Sequence, residues 1–273
     1  MSEIVKDIPI RSASEQTTEL GNWNLECQQS HILRSRCRCV EGTKCNHCIY
    51  SSSLRLPDLP EMCFDRNTLT IVHPKTGCRL TLNCLDALKL VDDKHDILKV
   101  SYSKEWLGKR QGNSNIKNTP KPFDWTFSTA YSGTLLDSAT HALRVTPTTQ
   151  EPDQEKLLRR DKIVYHTELV LFEDELADNG SSKLVVKCRV MSSFLLVLLR
   201  FYLRVDNVMI RVQETRLYGE AGWDYLLREV SLREASYCDL EHLGTQVLFE
   251  ENGINKHLTL KSRELSKIDM VEK

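Results

Sequence analysis

Two long apolar runs joined by a polar dipeptide dominate the hydrophobic pattern of this chain. Residues 194–203 hold nine apolar side chains in ten positions, interrupted only by Arg200, whereas a membrane-spanning helix needs about 20. Apolar and polar side chains then alternate over residues 208–213, as in a strand with one buried face. Between the runs, Asp206-Asn207 suits the left-handed backbone of a tight turn. The pattern predicts a central β-hairpin, with a buried helix over residues 193–205 as the alternative.

Shorter alternating segments extend this prediction to antiparallel sheets. Strands predicted over residues 163–176 and 184–191 flank the turn residues Asn179-Gly180 and precede the hairpin, so four consecutive strands form a meander. Short helices are predicted after Asn83 and Asp153, because both residue types are good helix N-caps. Other predicted strands cover residues 68–73, 79–82, 131–136 and 142–146. The predicted fold class is α+β and mainly β, with antiparallel sheets, meander or sandwich-like, flanked by a few short helices.

The length and local polarity of the chain predict one domain with two tails. At 273 residues the chain is long enough to bury a substantial core. Residues 1–20 are polar and aperiodic, which predicts a disordered N-terminal tail, and residues 261–273 are predicted to be a charged C-terminal tail. Residues 21–260 form the single predicted domain. Two loops are expected within it, a cysteine-rich loop at 37–48 and a flexible polar loop at 108–122.

Charge and composition exclude several classes of partner. The 37 basic and 38 acidic side chains give a formal net charge of -1, so no overall field favours nucleic acid or an anionic membrane surface. The N-terminal segment has no apolar core typical of a secretion signal, which predicts a cytoplasmic or nuclear protein. In those compartments most of the ten cysteines should stay reduced.

The cysteine-rich loop carries the sharpest local motif in the sequence. Cys37, Cys39, Cys45 and Cys48 place four thiols within twelve residues, enough to surround one tetrahedral zinc ion. Such a site would be structural, because four sulfur ligands leave no open position for a catalytic water. The spacing lacks the second long-spaced pair of common zinc modules, so a cysteine-rich loop without metal is the alternative.

Catalytic motifs are absent from the sequence. It contains no nucleophile elbow, phosphate-binding loop, dinucleotide fingerprint or zinc-protease motif. Cys84 is the one candidate nucleophile, and a base would have to come from a distant histidine. The chain is therefore expected not to be an enzyme.

Several blocks in order along the chain resemble the TOR signalling pathway regulator-like (TIPRL) family. The match runs from about residue 23 to residue 233. Its blocks are LPEM at residues 59–62, KPFDWT at 121–126, GTLL at 133–136, LFEDEL at 171–176, LRFYLR at 199–204 and TRLY at 215–218. The resemblance implies a non-enzymatic regulator that binds the catalytic subunits of type 2A protein phosphatases and modulates their activity or assembly in TOR signalling. It also implies a link to the alpha-type phosphatase scaffold, and we expect a monomer.

The resemblance also implies partner-binding positions. They fall on Asp86, Pro152, Val212 and Glu214. Proline stands at 152 where the family usually has a flexible aliphatic residue, valine at 212 replaces a methionine, and glutamate at 214 replaces a shorter acid. We expect a partly apolar patch around Val212, rimmed by Asp86 and Glu214, where the sheet face opens to solvent. A zinc-stabilised adaptor that recruits a different partner through residues 37–48 is the alternative function.

Overall fold

Two antiparallel sheets form the body of the protein in this computed structural model, which describes residues 14–34, 39, 45–54, 56, 58–91, 126–240 and 242–273. The smaller sheet has five strands in the order β1-β2-β4-β5-β6. Their bounds are β1 Ser14–Leu20, β2 Trp23–Gln29, β4 Thr68–Val72, β5 Arg79–Asn83 and β6 Thr134–Leu136. The flexible loop predicted at 108–122 lies outside the described residues.

The larger sheet has eight strands, six of them consecutive in the chain. Its bounds are β3 Met62–Cys63, β7 His141–Pro147, β8 Ile163–Asp174, β9 Gly180–Met191, β10 Phe194–Val205, β11 Met209–Glu220, β12 Tyr225–Ser236 and β13 Thr259–Glu272. Strands β8 to β13 run as one meander, with β3 beyond β8 and β7 beyond β13. The predicted meander is therefore confirmed and is longer than expected.

The helices of the described residues are short. They are α1 Asn46–Ser53, α2 Cys84–Lys89, α3 Gln154–Leu158, α4 Tyr237–Leu240, α5 Thr245–Phe249 and a 3-10 turn at Ile254–His257. None of these helices is long and apolar enough to cross a bilayer. Asn83 caps α2 and Asp153 caps α3, each accepting a hydrogen bond from a backbone N–H of its helix. The predicted class, mainly β with antiparallel sheets and few short helices, is confirmed.

The predicted central hairpin is strands β10 and β11, and the helical alternative for residues 193–205 is wrong. The two strands pair antiparallel with Arg200 opposite Glu214. The turn differs from the expected one, because only Asn207 of its two central residues has a positive φ, at 61°. The Val208 N–H donates to the Val205 carbonyl at 3.0 Å, which closes the turn.

Strand alternation divides the larger sheet into an inner and an outer face. On β10 the odd-numbered residues, such as Leu199 and Phe201, pack with Trp23, Leu69 and Leu82 of the smaller sheet in one core. The even-numbered residues of β10 and β11 point to the outer face, since directly paired residues share a face. The two sheets thus form two layers, and the outer face of the larger sheet is itself partly covered.

Two separate elements cover parts of the outer face. Residues 237–240 and 242–258, here called the outer cap, bury Tyr202, Ile210 and Val212 against Leu240, Leu248, Ile254 and Leu258. At the other end of the face, Leu157 of α3 packs on a cluster of Met191, Phe194, Tyr218 and Leu227. Between these two covers the outer face presents mainly charged side chains, such as Arg216, Glu229 and Arg263.

The predicted tails are partly wrong. Residues 14–20 form β1, which pairs with β2 over its full length although only Leu20 of its side chains is buried. Residues 261–273 were expected to be a charged tail, but all except Lys273 belong to β13, which lies between β12 and β7. Backbone pairing and ion pairs such as Arg263 to Glu229 at 2.8 Å hold these polar strands, and an apolar pattern cannot reveal either. Residues 1–13 lie outside the described residues.

The two sheets meet at their turns as well as through their core. Gly21 in the β1–β2 turn has φ 56°, and the next residue, Asn22, donates its N–H to the Ala221 carbonyl at 2.8 Å. A Cβ atom at Gly21 would lie 1.9 Å from that carbonyl oxygen. The turn therefore needs glycine both for its backbone angle and for the approach of the second sheet.

We predict that Gly21→Ala lowers the free energy of unfolding by about 2 kcal/mol or more, because it adds backbone strain and a steric clash. Urea unfolding monitored by tryptophan fluorescence measures the loss. Gly222→Ala is the matched control, since a Cβ atom there meets no atom within 4 Å. Equal stability of the two variants would contradict the assigned contact between the turns.

Candidate functional site

A buried ion pair crosses the centre of the outer face. Arg200 donates from Nε to Glu214 Oε1 at 2.8 Å, and its Nη2 lies 2.6 Å from the same oxygen. Arg216 donates to the other carboxylate oxygen at 2.5 Å. Arg200 also donates from Nη1 to Asn252 Oδ1 at 2.6 Å, so the pair ties strands β10 and β11 to the outer cap.

The structure does not show the expected exposed patch around Val212. Val212 is 1% exposed and Glu214 is 2% exposed, because the outer cap packs over this end of the strand. Glu214 was expected where the sheet opens to solvent, yet it is enclosed by Arg200, Arg216 and Asn255. Neither residue offers a side chain to a partner while the outer cap is in place.

A row of paired residues leads from Glu214 to the segment that contains Pro152. Glu214 pairs with Ser231 on β12, and Ser231 pairs with Arg263 on β13. Arg263 forms ion pairs with Glu229 at 2.8 Å and with Glu151 at 3.0 Å. Neighbouring strands are about 4.8 Å apart, so Arg263 lies roughly 10 Å from Glu214 across the sheet. The structure thus brings Val212, Glu214 and the half-buried Pro152 to one face.

Four charged residues beside this row lie between the outer cap and α3. They are Arg216, Glu229, Arg263 and Glu151, and we call them the charged strip. The Arg216 side chain is 54% exposed, that of Glu151 48% and that of Arg263 42%, so a partner can reach them without displacing the cap. These residues were missed in the sequence. The interruption of the apolar run by Arg200 is the signal that could have pointed to a polar row on this face.

Asp86 lies apart from the other three predicted positions. It belongs to α2, whose buried residues pack in the core between the sheets, so the larger sheet separates it from the outer face. Its Oδ2 accepts hydrogen bonds from Asn83 and Thr134, each at 2.8 Å, and Lys89 lies 3.0 Å from its Oδ1. Partial burial raises the pKa of the Asp86 carboxyl, but these three hydrogen-bond donors outweigh it and hold the pKa below its ordinary value. Asp86 is therefore ionised at neutral pH and firmly oriented.

The cysteines named as candidates in the sequence lie in two environments. Cys84 is fully buried in the core beside Tyr50 and Cys63, where a substrate cannot reach it, and burial together with the Cys84 thiol raises the pKa of Tyr50. Cys39, Cys45 and Cys48 have sulfur atoms within 4.8 Å of one another. Cys37, the fourth predicted zinc ligand, lies outside the described residues. The thiol-nucleophile interpretation of Cys84 thus loses its geometric basis.

Comparison with known proteins agrees with the sequence blocks. The model of the TIP41-like family matches residues 62–241. The human TIP41-like protein is 40% identical over 253 residues, which cover 93% of this chain and 89% of the human one. A Saccharomyces cerevisiae protein named type 2A phosphatase activator TIP41 is 39% identical over 196 residues, covering 67% of this chain and 54% of its own.

The protein is thus a two-layer antiparallel β protein with a charged, partly covered outer face. It belongs to the TIP41-like family, as the extent of both matches shows. The expected family resemblance is confirmed.

We predict that Glu214→Ala lowers the free energy of unfolding by about 3–5 kcal/mol, because the Arg200 guanidinium stays buried without its carboxylate. The double variant Arg200→Met, Glu214→Leu should lose less than the single variant, since it removes both charges. Glu168→Ala is the control, because Glu168 forms an exposed ion pair with Lys187 that should contribute about 0–1 kcal/mol. Urea unfolding of all three variants measures the differences. A loss at Glu214 no larger than the control's would contradict a stabilising role for the network.

Asp86 should give a pH-dependent contribution to stability. Its pKa is lowered in the folded state, so the contribution is fully present above the unfolded value of about 3.9 and is lost as pH falls through the folded pKa. We predict that Asp86→Asn is less stable than the parent at pH 7 and that this difference shrinks towards zero as the solution is acidified below pH 4. Urea unfolding across that range checks it, with Glu26→Gln at an exposed position of β2 as control. A difference that does not change with pH would contradict the assignment.

Proposed function

We propose that this protein is a non-enzymatic regulator that binds the catalytic subunit of type 2A protein phosphatases and modulates its activity or assembly in TOR signalling, in the cytoplasm or nucleus. Membership of the TIP41-like family carries the proposal. Relatives in two yeasts are named type 2A phosphatase activators, and the one from Schizosaccharomyces pombe matches 79% of this chain at 33% identity. A regulator needs a surface for its phosphatase and no reactive group of its own.

The charged strip is the surface we assign to the phosphatase. It offers two arginines and two glutamates in an ordered arrangement, and ordered guanidinium groups are frequent anchors in protein interfaces. Pro152 lies next to Glu151 at one side of the strip, and the outer cap bounds the other side. Alternating charges of this kind favour a partner with complementary charges and set its orientation.

Val212 and Glu214 lie under this surface and hold it in place. Val212 packs under the outer cap, and Glu214 holds Arg216 at the edge of the strip. Replacing either residue would shift the cap or release Arg216, and so weaken binding without removing a direct contact. Their role in the proposal is to position the groups that the phosphatase touches.

Asp86 is a second, separate contact in the proposal. It lies beyond the larger sheet, next to Thr134 at the start of the edge strand β6, and its side chain is 27% exposed. A partner that engages both Asp86 and the charged strip has to extend around the edge where β6 and β7 lie. Whether the alpha-type phosphatase scaffold competes for this surface or joins the complex follows from the same binding assay with scaffold added.

Surface plasmon resonance with purified type 2A catalytic subunit tests the proposal. We predict that Arg216→Ala and Arg263→Ala each weaken binding about tenfold, equal to about 1.4 kcal/mol, because each removes an accessible charged anchor. Arg66→Ala is the matched control, as Arg66 is an exposed arginine between β3 and β4, away from the charged strip and from the edge at β6. Circular dichroism confirms that each variant remains folded.

Each result in this assay has a definite meaning. No binding by the parent protein rejects the proposed function. If the parent binds, and Arg216→Ala and Arg263→Ala weaken that binding no more than Arg66→Ala does, the charged strip is rejected as the binding surface. Unchanged affinity of a folded Asp86→Leu variant removes Asp86 from the interface and leaves the strip in place.

A zinc-stabilised adaptor is the second candidate function, and the clustering of three cysteine sulfurs within 4.8 Å is the observation that favours it. In that role the cysteine-rich segment would recruit a partner other than a phosphatase. If the parent binds the phosphatase and a folded Cys48→Ser variant binds it with the same affinity, the cysteine-rich segment lies outside the phosphatase interface. Loss of phosphatase binding in that variant would reject a separate adaptor role.

A further inference from the structure

Three cysteine side chains converge next to the start of helix α1. Cys45 is the N-cap of the helix and Cys48 lies within its first turn. Cys39 approaches from the preceding segment, and its sulfur accepts a hydrogen bond from the Cys45 N–H at 3.0 Å. We propose that Cys39, Cys45 and Cys48 bind one zinc ion as thiolates.

The spacing of the sulfur atoms carries the proposal. Cys45 Sγ lies 3.8 Å from Cys48 Sγ, and Cys48 Sγ lies 3.9 Å from Cys39 Sγ. In a tetrahedral zinc site with bonds of about 2.3 Å, neighbouring sulfurs lie about 3.8 Å apart. A disulfide would need about 2.05 Å, and it could join only two of the three sulfurs. Two edges of the sulfur triangle therefore match one face of a zinc tetrahedron, and the third is no longer than 4.8 Å.

Two features place partial positive charge near the sulfur atoms of the cluster. Zinc binds thiolate, so each of the three thiols releases its proton to solvent as its Zn–S bond forms, with no change in oxidation state. The N–H donor from Cys45 stabilises negative charge on Cys39 Sγ. The amino end of α1, where Cys45 lies, carries partial positive charge that acts in the same direction.

A bound zinc ion would fix a segment that the fold already holds through helix α1. Tyr50 of α1 is buried in the core between the sheets, and its hydroxyl donates to the Asp65 carbonyl at 3.5 Å. Asn46 also donates to the Asp65 carboxylate. Zinc bound to Cys45 and Cys48 would add a further attachment at the amino end of this helix. It would thus join Cys39 to a helix that is already anchored in the core.

Metal content and spectroscopy of the full chain test the site. The protein is reduced, stripped with chelator, loaded with excess zinc, and passed through a desalting column before elemental analysis and native mass spectrometry. We predict about one zinc per chain and at least about 100-fold weaker zinc binding in Cys39→Ser, Cys45→Ser and Cys48→Ser, since loss of even an outer-shell partner costs about 10–100-fold. Cobalt substituted for zinc should give the visible absorption of a tetrahedral site and the near-ultraviolet bands of bound thiolate.

Cys238→Ser is the matched control, because Cys238 is an exposed cysteine on α4. It should keep the zinc content and the cobalt spectrum of the parent. A parent chain that retains no zinc, or whose zinc survives in all three cluster variants, overturns the proposal. An intact mass that shows a disulfide within residues 39–48 under the reducing conditions of the assay overturns it as well. Because this experiment does not measure phosphatase binding, its failure can be told apart from a failure of the proposed function.

Discussion

The register of the β10–β11 hairpin is the constraint on which the rest of the structure depends. It places Arg200 directly opposite Glu214 on the outer face and leaves the odd-numbered apolar side chains of β10 for the core between the sheets. A shift of one residue would turn the Arg200 guanidinium into that core and expose apolar side chains instead. A charged residue in the middle of an apolar run is costly to bury alone, so its pairing with Glu214 makes one register much more favourable than its neighbours.

The same ion pair connects the hairpin to the C-terminal part of the chain. Through Arg200 it reaches Asn252 in the outer cap, and through Glu214 it holds Arg216 at the exposed strip. Packing of Ile210 and Val212 against Leu248 and Ile254 supplies the apolar part of this contact. Core packing, cap position and the presentation of surface charge are therefore coupled. A substitution deep in the hairpin can therefore alter the charges presented at a surface it does not reach.

Apolar patterning predicted the parts of the fold whose strands bury one face. Strands β8 to β11 and the cap at Asn83 follow from alternation and helix-capping chemistry. Strands β1 and β13 were missed because few of their side chains are buried and their stability comes from backbone pairing with β2, β12 and β7. Sequence position likewise could not show that the outer cap covers Glu214, since the contact between Asn255 and Glu214 joins residues far apart in the chain.

The two departures from the family pattern that the resemblance implies on β11 share one physical explanation. Val212 and Glu214 are neighbours on the same buried face, and the resemblance implies a methionine and a shorter acid at these positions. Valine is smaller than methionine, whereas glutamate adds one methylene to the shorter acid, so the two changes partly cancel in volume under the outer cap. Tightly packed interiors tolerate such volume-conserving changes better than either one alone. The longer acid also extends its carboxylate towards Arg200, Arg216 and Asn255 together. What this face requires is a buried acid that pairs with Arg200.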